Sequence, residues 1–241
     1  MLKSGWESLI REKDLTHVDV KPYCLDKTEV TVEAYGACVK ASVCTEPWTY
    51  DPAPREPAAP SLKSANWKHP DPARLKHPVN GVAWQQAVDY CGWKGRRLPT
   101  EQEFEWAMRG GPKGTKYPWG NDPITKERAN LGDSSWWAVC MSTMECFGYT
   151  FPEKHWSDGF PFSAPVGSFP AGANPWGVLD LVGNVQEWTG PIETDDEGRL
   201  LYWTRGGGYS THPTQFWKTP ANGKYGLPEH AIASIGFRCA R

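Results

Sequence analysis

Between Val82 and Gly111 the chain reads VAWQQAVDYCGWKGRRLPTEQEFEWAMRGG, and no other stretch restricts the fold so tightly. Over 82–95, Trp84, Ala87, Val88 and Cys91 follow the i, i+3, i+4, i+7 repeat of a helix with one apolar face, and glycines end it. Over 99–111 a second helix begins almost at once. Thr100 and Glu103 form a capping box, Phe104, Ala107 and Met108 turn inward, and Gly110 stops the helix. Upstream, TVEAYGACVKA (31–41) reads as a third short helix, with Thr31 as its cap and Val32, Tyr35 and Val39 on one face. HVDVKPYCLDKTEV (17–30) alternates at its start and reads as a strand running into a turn. Residues 45–78 are rich in proline and read as a surface excursion. Beyond residue 112 helical periodicity fades into short strands and long turns. The class is α+β, loop-rich, with little regular secondary structure.

Such a chain needs another source of order. It has 24 glycines and 22 prolines in 241 residues, against the roughly 12% that the two supply in an average chain. It also has 14 tryptophans, so an irregular backbone is pinned by large aromatic anchors rather than left disordered. The formal net charge is -2 and no lysine or arginine stripe occurs, so a nucleic-acid partner is not expected. No apolar run approaches the roughly 20 residues that span a bilayer. The opening MLKSGWESLIREKD lacks the apolar core of a signal peptide, which implies either a cytoplasmic protein or one whose signal has been removed. Length leaves one or two domains open, but no repeat, low-complexity tract or linker divides the chain.

The chemistry-bearing residues are sparse. Of seven cysteines, Cys38 and Cys44 lie close together, as do Cys140 and Cys146, whereas Cys24, Cys91 and Cys239 are isolated. No CxxC or Cys/His cluster has zinc spacing. Buried thiols in a reducing compartment and up to three disulfides in an oxidising one both fit this spacing. The six histidines, His17, His69, His77, His155, His212 and His230, form no HxxxH or HxxE pair, so no local facial-triad iron site is visible.

The block that opens the chain's case extends to HPVNGVAWQQAVDYCGWKGRRLPTEQEFEWAMRGG (77–111). It is followed in order by YPWGN, APVGSFPAGANPWGVLDLVGNVQEW, RGGGY and a closing GFRC. These ordered motifs, over roughly residues 18–241, resemble the formylglycine-generating enzyme, or sulfatase-modifying factor, family. The resemblance implies that family's variant of the C-type-lectin fold and a single domain over 1–241, in which residues 1–16 are atypical.

Active members of that family carry two cysteines five apart just after RGG, which hold copper(I) and oxidise a substrate cysteine to formylglycine. In RGGGYSTHPTQF (205–216) those positions fall on Thr211 and Phe216. Neither is a thiol, and a hydroxyl is a poor ligand for a soft metal. The resemblance therefore implies no copper, no catalytic residue and no formylglycine synthesis by the family's mechanism. What remains is a cleft. Arg205, Tyr209, Thr211, His212, Gln215, Phe216 and Trp217 would line it for a peptide, protein or small-molecule ligand. The alternative is an oxidoreductase with a non-thiolate iron or copper site.

The resemblance also implies two calcium sites built from hard oxygen ligands. The first falls on Asn130, Leu131, Asp158 and Phe160, with Leu131 and Phe160 serving through carbonyls. The second falls on Asp180, Gly183, Val185 and Glu187. A blander reading makes Asp158 the start of an Asp-Gly turn and Glu187 a partner of backbone amides. The family pairs a cysteine of the AxxYC helix with that of GFRC, which are Cys91 and Cys239 here. Cys38–Cys44 and Cys140–Cys146 are expected to pair as well, leaving Cys24 free. Three disulfides would indicate a periplasmic or extracellular protein, taken as a monomer. Trp119, Trp176, Trp188 and Phe237 read as core anchors, Arg96, Arg97 and Glu105 as scaffold charges, and ETDDEG (193–198) as a solvated hairpin loop.

Overall fold

The three helices form where the sequence places them. In the computed structural model, which describes residues 19–47, 64–143, 156–190, 193–194, 200–201, 203–213 and 233–241, α1 runs Val32–Lys40, α2 Trp84–Trp93 and α3 Glu101–Met108. Thr31 Oγ1 accepts the Ala34 N–H at 3.1 Å, and α1 buries Val32, Tyr35 and Cys38, with Val39 only half-buried. α2 buries Ala87 and Cys91 as expected and also Tyr90. Trp84 and Val88 pack on that core from its margin. Both halves of the α3 capping box are made: Thr100 Oγ1 accepts the Glu103 N–H at 3.1 Å and Glu103 Oε2 accepts the Thr100 N–H at 2.8 Å. Phe104, Ala107 and Met108 are buried, and Gly110 takes the left-handed conformation that ends the helix.

The remaining elements are short. β1 (Gln186–Trp188) is flanked by antiparallel β4 (Thr204–Arg205) and parallel β5 (Ile235–Gly236). β2 (Glu193–Thr194) and β3 (Leu200–Leu201) pair as a hairpin around the acidic run, whose residues 195–199 lie outside the described set. Glu187 pairs with Arg205 on one side and with Gly236 on the other, so the middle of this small sheet joins the central motif to both later ones. One core cluster lies over α1, α2 and β5, with Tyr35, Tyr90 and Phe237 in mutual contact. A second lies under α3, around Phe104, Leu131 and Leu181.

Four expectations are corrected. No strand forms in 19–30; this segment lies along the C-terminal residues with an irregular ladder, broken where the Asp26 carboxylate itself accepts the Cys239 N–H. A fourth helix, α4 (Ser134–Thr143), arises where no apolar period announces it. Its start is held by Asp133, whose Oδ1 accepts the N–H groups of Ser135 and Trp136 at 2.8 and 3.1 Å. The part of 45–78 that is described is not a mere surface excursion, because Ser64, Asn66 and His77 are buried. Trp176 is 54% exposed; its ring stacks on Trp106 at 4.8 Å instead of entering the core. Trp188 and Phe237 are buried anchors, and Trp119, half-buried, stacks on Tyr117.

Cys38–Cys44 and Cys91–Cys239 are disulfides, with Cα atoms 5.3 and 5.6 Å apart, and Cys24 is exposed and free. Cys140 is disulfide-bonded too, while Cys146 lies outside the described residues. Disulfides of this kind belong to an oxidising compartment. No helix among the described residues is long and apolar enough to cross a membrane. The scaffold charges pair: Arg97 grips Glu103 at 2.6 Å, Arg96 meets Asp26, and Glu105 faces Arg109 at 3.5 Å.

Candidate functional site

The motif LDLVGNVQEW builds the centre of the site because its backbone makes two unusual turns. Asp180 and Asn184 both adopt left-handed φ, +56° and +60°, a strained state for residues with a Cβ. Gly183 sits between them at φ +87°, and a Cβ there would run into the Asn130 backbone. The turn delivers Asn184 to a junction. Its N–H donates to Asn130 O at 2.7 Å, its Oδ1 accepts the Ala164 N–H at 2.8 Å, and its Nδ2 donates to Glu29 Oε1 at 2.9 Å. Its carbonyl accepts the Tyr209 N–H at 2.9 Å. Both expected calcium sites and the RGGGY loop therefore meet at Asn184, which carried no role in the sequence reading.

On one side of this junction lie Asn130, Leu131, Asp158 and Phe160. Asp158 Oδ1 accepts the Phe160 N–H at 2.8 Å, and Asp133 Oδ2 holds the loop by accepting the Asp158 N–H at 2.7 Å. Asn130 Nδ2 donates to Phe162 O at 2.9 Å. Two acceptors are left over: Asn130 Oδ1 and Asp158 Oδ2 are buried and have no donor. Burial, with Asp133 nearby, pushes the Asp158 carboxyl up to about 7, although the Phe160 and Leu131 N–H groups pull it down. Buried oxygen acceptors without hydrogen-bond donors, one of them a carboxylate, fit a hard cation such as calcium.

On the other side lie Asp180, Gly183, Val185 and Glu187. Glu187 is fully buried, and Arg238 of the GFRC motif grips it with two 2.7 Å bonds, Nε to Oε2 and Nη2 to Oε1. Asp180 Oδ2 accepts the Gly167 N–H at 2.6 Å. Val185 is buried in the core. Glu29 joins this group unannounced, with Oε2 buried and unpartnered. Burial raises the carboxyls of Glu29, Asp180 and Glu187 above their usual range, and their mutual proximity raises Glu29 further. Of the three, only Glu187 is bonded to Arg238; Glu29 and Asp180 lie near enough to feel the guanidinium's charge. Glu29 and Arg238 escaped the sequence reading because they lie 209 residues apart, at the two ends of the described chain.

The RGGGYST loop is rigidly tied. Thr211 is 8% exposed; its Oγ1 accepts the Gly208 N–H at 2.9 Å, its N–H donates to Gly208 O at 2.7 Å, and its carbonyl accepts the Gly132 N–H at 2.9 Å. Arg205 pairs with Glu101 at the start of α3 and lies 5.9 Å over the Trp203 ring. Tyr209 is buried edge-on against Phe162 at 5.8 Å, in a cluster with Trp136 and Cys140. His212 is half-buried beyond it. The structure thus brings Tyr209, Thr211 and His212 together and assigns Arg205 to the α3 side; Gln215, Phe216 and Trp217 lie outside the described residues. From residue 147 to 238 the chain contains no cysteine.

A second buried polar group lies beside the loop. Asn66 Nδ2 donates to Pro78 O and to Ser163 Oγ, both at 2.8 Å, and Ser163 Oγ lies 3.2 Å from His77 Nδ1. Burial pushes the His77 imidazole down to about 4, assisted by the Arg74 charge. Among the described residues no group of three or more His, Cys, Asp or Glu is poised as a metal cluster.

Comparison with known proteins identifies the family. Residues 3–241 match the family described as the sulfatase-modifying factor enzyme 1-like domain. The formylglycine-generating enzyme of Mus musculus is 32% identical over 206 residues, covering 74% of this chain and 50% of its own length. The inactive C-alpha-formylglycine-generating enzyme 2 of Bos taurus is 37% identical over 174 residues, covering 69% of this chain and 51% of its own. The chain thus spans about half the length of these curated relatives. The crystal structure of CarF superposes with a TM-score of 0.59 at 22% identity, covering 93% of this chain and 88% of that one, which establishes a common fold. Motif order, fold and family match converge: the chain belongs to the sulfatase-modifying factor enzyme 1-like domain family.

Proposed function

We propose that this protein is a non-catalytic member of its family, one domain and a monomer, which binds a peptide, protein or small molecule in the former active-site cleft. The observation that carries this is the environment of Thr211. At the position where the resemblance puts the first copper thiolate, a hydroxyl accepts a backbone N–H and closes its own turn. It is spent on structure, and no cysteine between residues 147 and 238 replaces it. A relative whose own name declares it inactive supports the reading. Calcium would be held by Asn130, Leu131, Asp158 and Phe160 at one site and by Asp180, Gly183, Val185 and Glu187 at the other. Bound there, it supplies positive charge and coordination to buried oxygens; it has no part in a reaction. The disulfides suit a periplasmic or extracellular protein.

The test is metal analysis of purified protein together with restoration of the thiols. Calcium without stoichiometric copper or iron is expected. Thr211→Cys with Phe216→Cys, supplied with copper(I), should gain oxidation of a sulfatase-type cysteine peptide if the groove survives. Metal-dependent oxidation of that peptide by the unaltered protein would overturn the proposal in favour of an iron or copper oxidoreductase.

A further inference from the structure

Among the described arginines, charge pairing is the rule. Arg96, Arg97, Arg109, Arg128, Arg205 and Arg238 each meet a carboxylate. Apart from the last residue, Arg241, the exception among the described residues is Arg74. It lies on the 3-10 turn Pro72–Lys76, half-buried, with no carboxylate in ion-pair contact. Instead its Nη1 donates to Asn66 Oδ1 at 2.8 Å. Asn66 is 1% exposed and cannot turn, because its Nδ2 is committed to Pro78 O and Ser163 Oγ and its N–H to Asn80 Oδ1 at 2.8 Å. The guanidinium is thus aimed by an immobilised amide. Ser163 follows Phe162, whose ring is the edge-on partner of Tyr209, so the aimed cation stands beside the RGGGY loop. Burial lowers the proton affinity of Arg74, and the Asp71 and Tyr209 side chains oppose that shift from nearby.

A guanidinium that is partly desolvated, fixed in direction and held in no ion-pair contact, with Asp71 near but not bonded to it, is arranged to receive an anion. We propose that Arg74 is the anion-recognising residue of the cleft, so that the ligand presents an oxyanion, a carboxylate or a phosphate or sulfate ester, beside Tyr209. The planar fork suits either group, because both offer two oxygens to parallel N–H donors. Asn66 acts as the positioning residue. The inference rests on the cleft being the ligand site, and it gives that ligand a charge.

Sodium acetate and sodium sulfate, titrated against sodium chloride at fixed ionic strength and followed by tryptophan fluorescence, test it directly. Saturable binding to the unaltered protein is expected, weakened at least tenfold in Arg74→Gln. Arg74→Lys, which keeps the charge and loses the fork, should fall between them. Tighter binding of acetate assigns the oxyanion to a carboxylate; tighter binding of sulfate assigns it to an ester. Absence of saturable binding of either anion overturns the proposal, as does equal binding by Arg74→Gln. If near-UV circular dichroism shows that Arg74→Gln does not fold, unchanged affinity in Arg74→Lys overturns it instead. A protein that responds to calcium chelation but binds neither anion loses the Arg74 role alone. One that binds anions but ignores the chelator loses the calcium reading alone.

Discussion

Two buried acidic regions flank Asn184, and they solve the same electrostatic problem differently. Around Glu187 the protein brings its own cation: Arg238 is fully buried and doubly bonded to the carboxylate. Among the described residues no guanidinium pairs with Asp158, and Asn130 Oδ1 and Asp158 Oδ2 are left without donors. The first region thus carries its own counter-charge, and burial raises the carboxyls of Glu29 and Asp180 beside it. On the calcium proposal, an external cation would satisfy the acceptors of the second. An internal ion pair makes one region a scaffold; on the calcium proposal, the other is the region left to bind the metal.

The harshest way to break this contrast is Arg238→Met. It strands Glu187 in the core, and loss of one partner of a buried pair destabilises by about 3–5 kcal/mol. Urea denaturation should show that loss, with calcium recovering part of it. If the variant is as stable as the parent, Arg238 is not the internal cation.

A region with no metal to lean on sharpens the comparison next. His77 is buried and neutral, its imidazole pushed down from 6.5 to about 4, mainly by burial. The unfolded chain then binds more protons than the folded one in that window. Stability should be full above pH 6.5 and fall as the pH drops towards 4, by at most about 3 kcal/mol. His77→Gln should flatten this part of the profile, measured by denaturation at each pH. A parallel fall in both proteins would assign the loss to other groups.

Chelation should follow in size. A ligand held at a hundred times its Kd stabilises by about 2.7 kcal/mol, so removing calcium should lower the melting temperature correspondingly. Asp158→Asn should abolish much of the response by weakening the unpartnered side, and Glu187→Ala should diminish it on the scaffolded side. Identical melting curves with and without chelator would sink the calcium reading. The smallest effect belongs to Thr211→Ala, which leaves the Gly208 N–H without its acceptor and should destabilise by about 1 kcal/mol. A much larger loss would mean that Thr211 does more than close its turn.

The elements legible in the sequence are those whose energetics are local. A capping box lies within four consecutive residues, Thr100 to Glu103, and an apolar stripe within one helix, so α1, α2 and α3 announce themselves before any tertiary contact exists. The ordered motifs likewise identified the family, because RGGGY and GFRC are read as strings. Helix α4 was hidden because its start depends on Asp133, which also bonds the distant Asp158 loop, and its sequence has no clear apolar period. The buried role of Asn66 was hidden too, since proline-rich composition describes the backbone and not where an amide finds its partners.

By itself, then, the sequence determined α1, α2 and α3, the family and the absence of a thiol between RGG and Cys239, all legible along the chain. Tertiary structure alone decided which charges meet. Glu29 and Arg238 act on Glu187 from opposite ends of the described chain, and Asn184 ties both acidic regions to Tyr209. Nothing in the spacing of these residues foretells their contact, because a hydrogen bond or ion pair in the core is set by where the backbone folds back, not by distance along it.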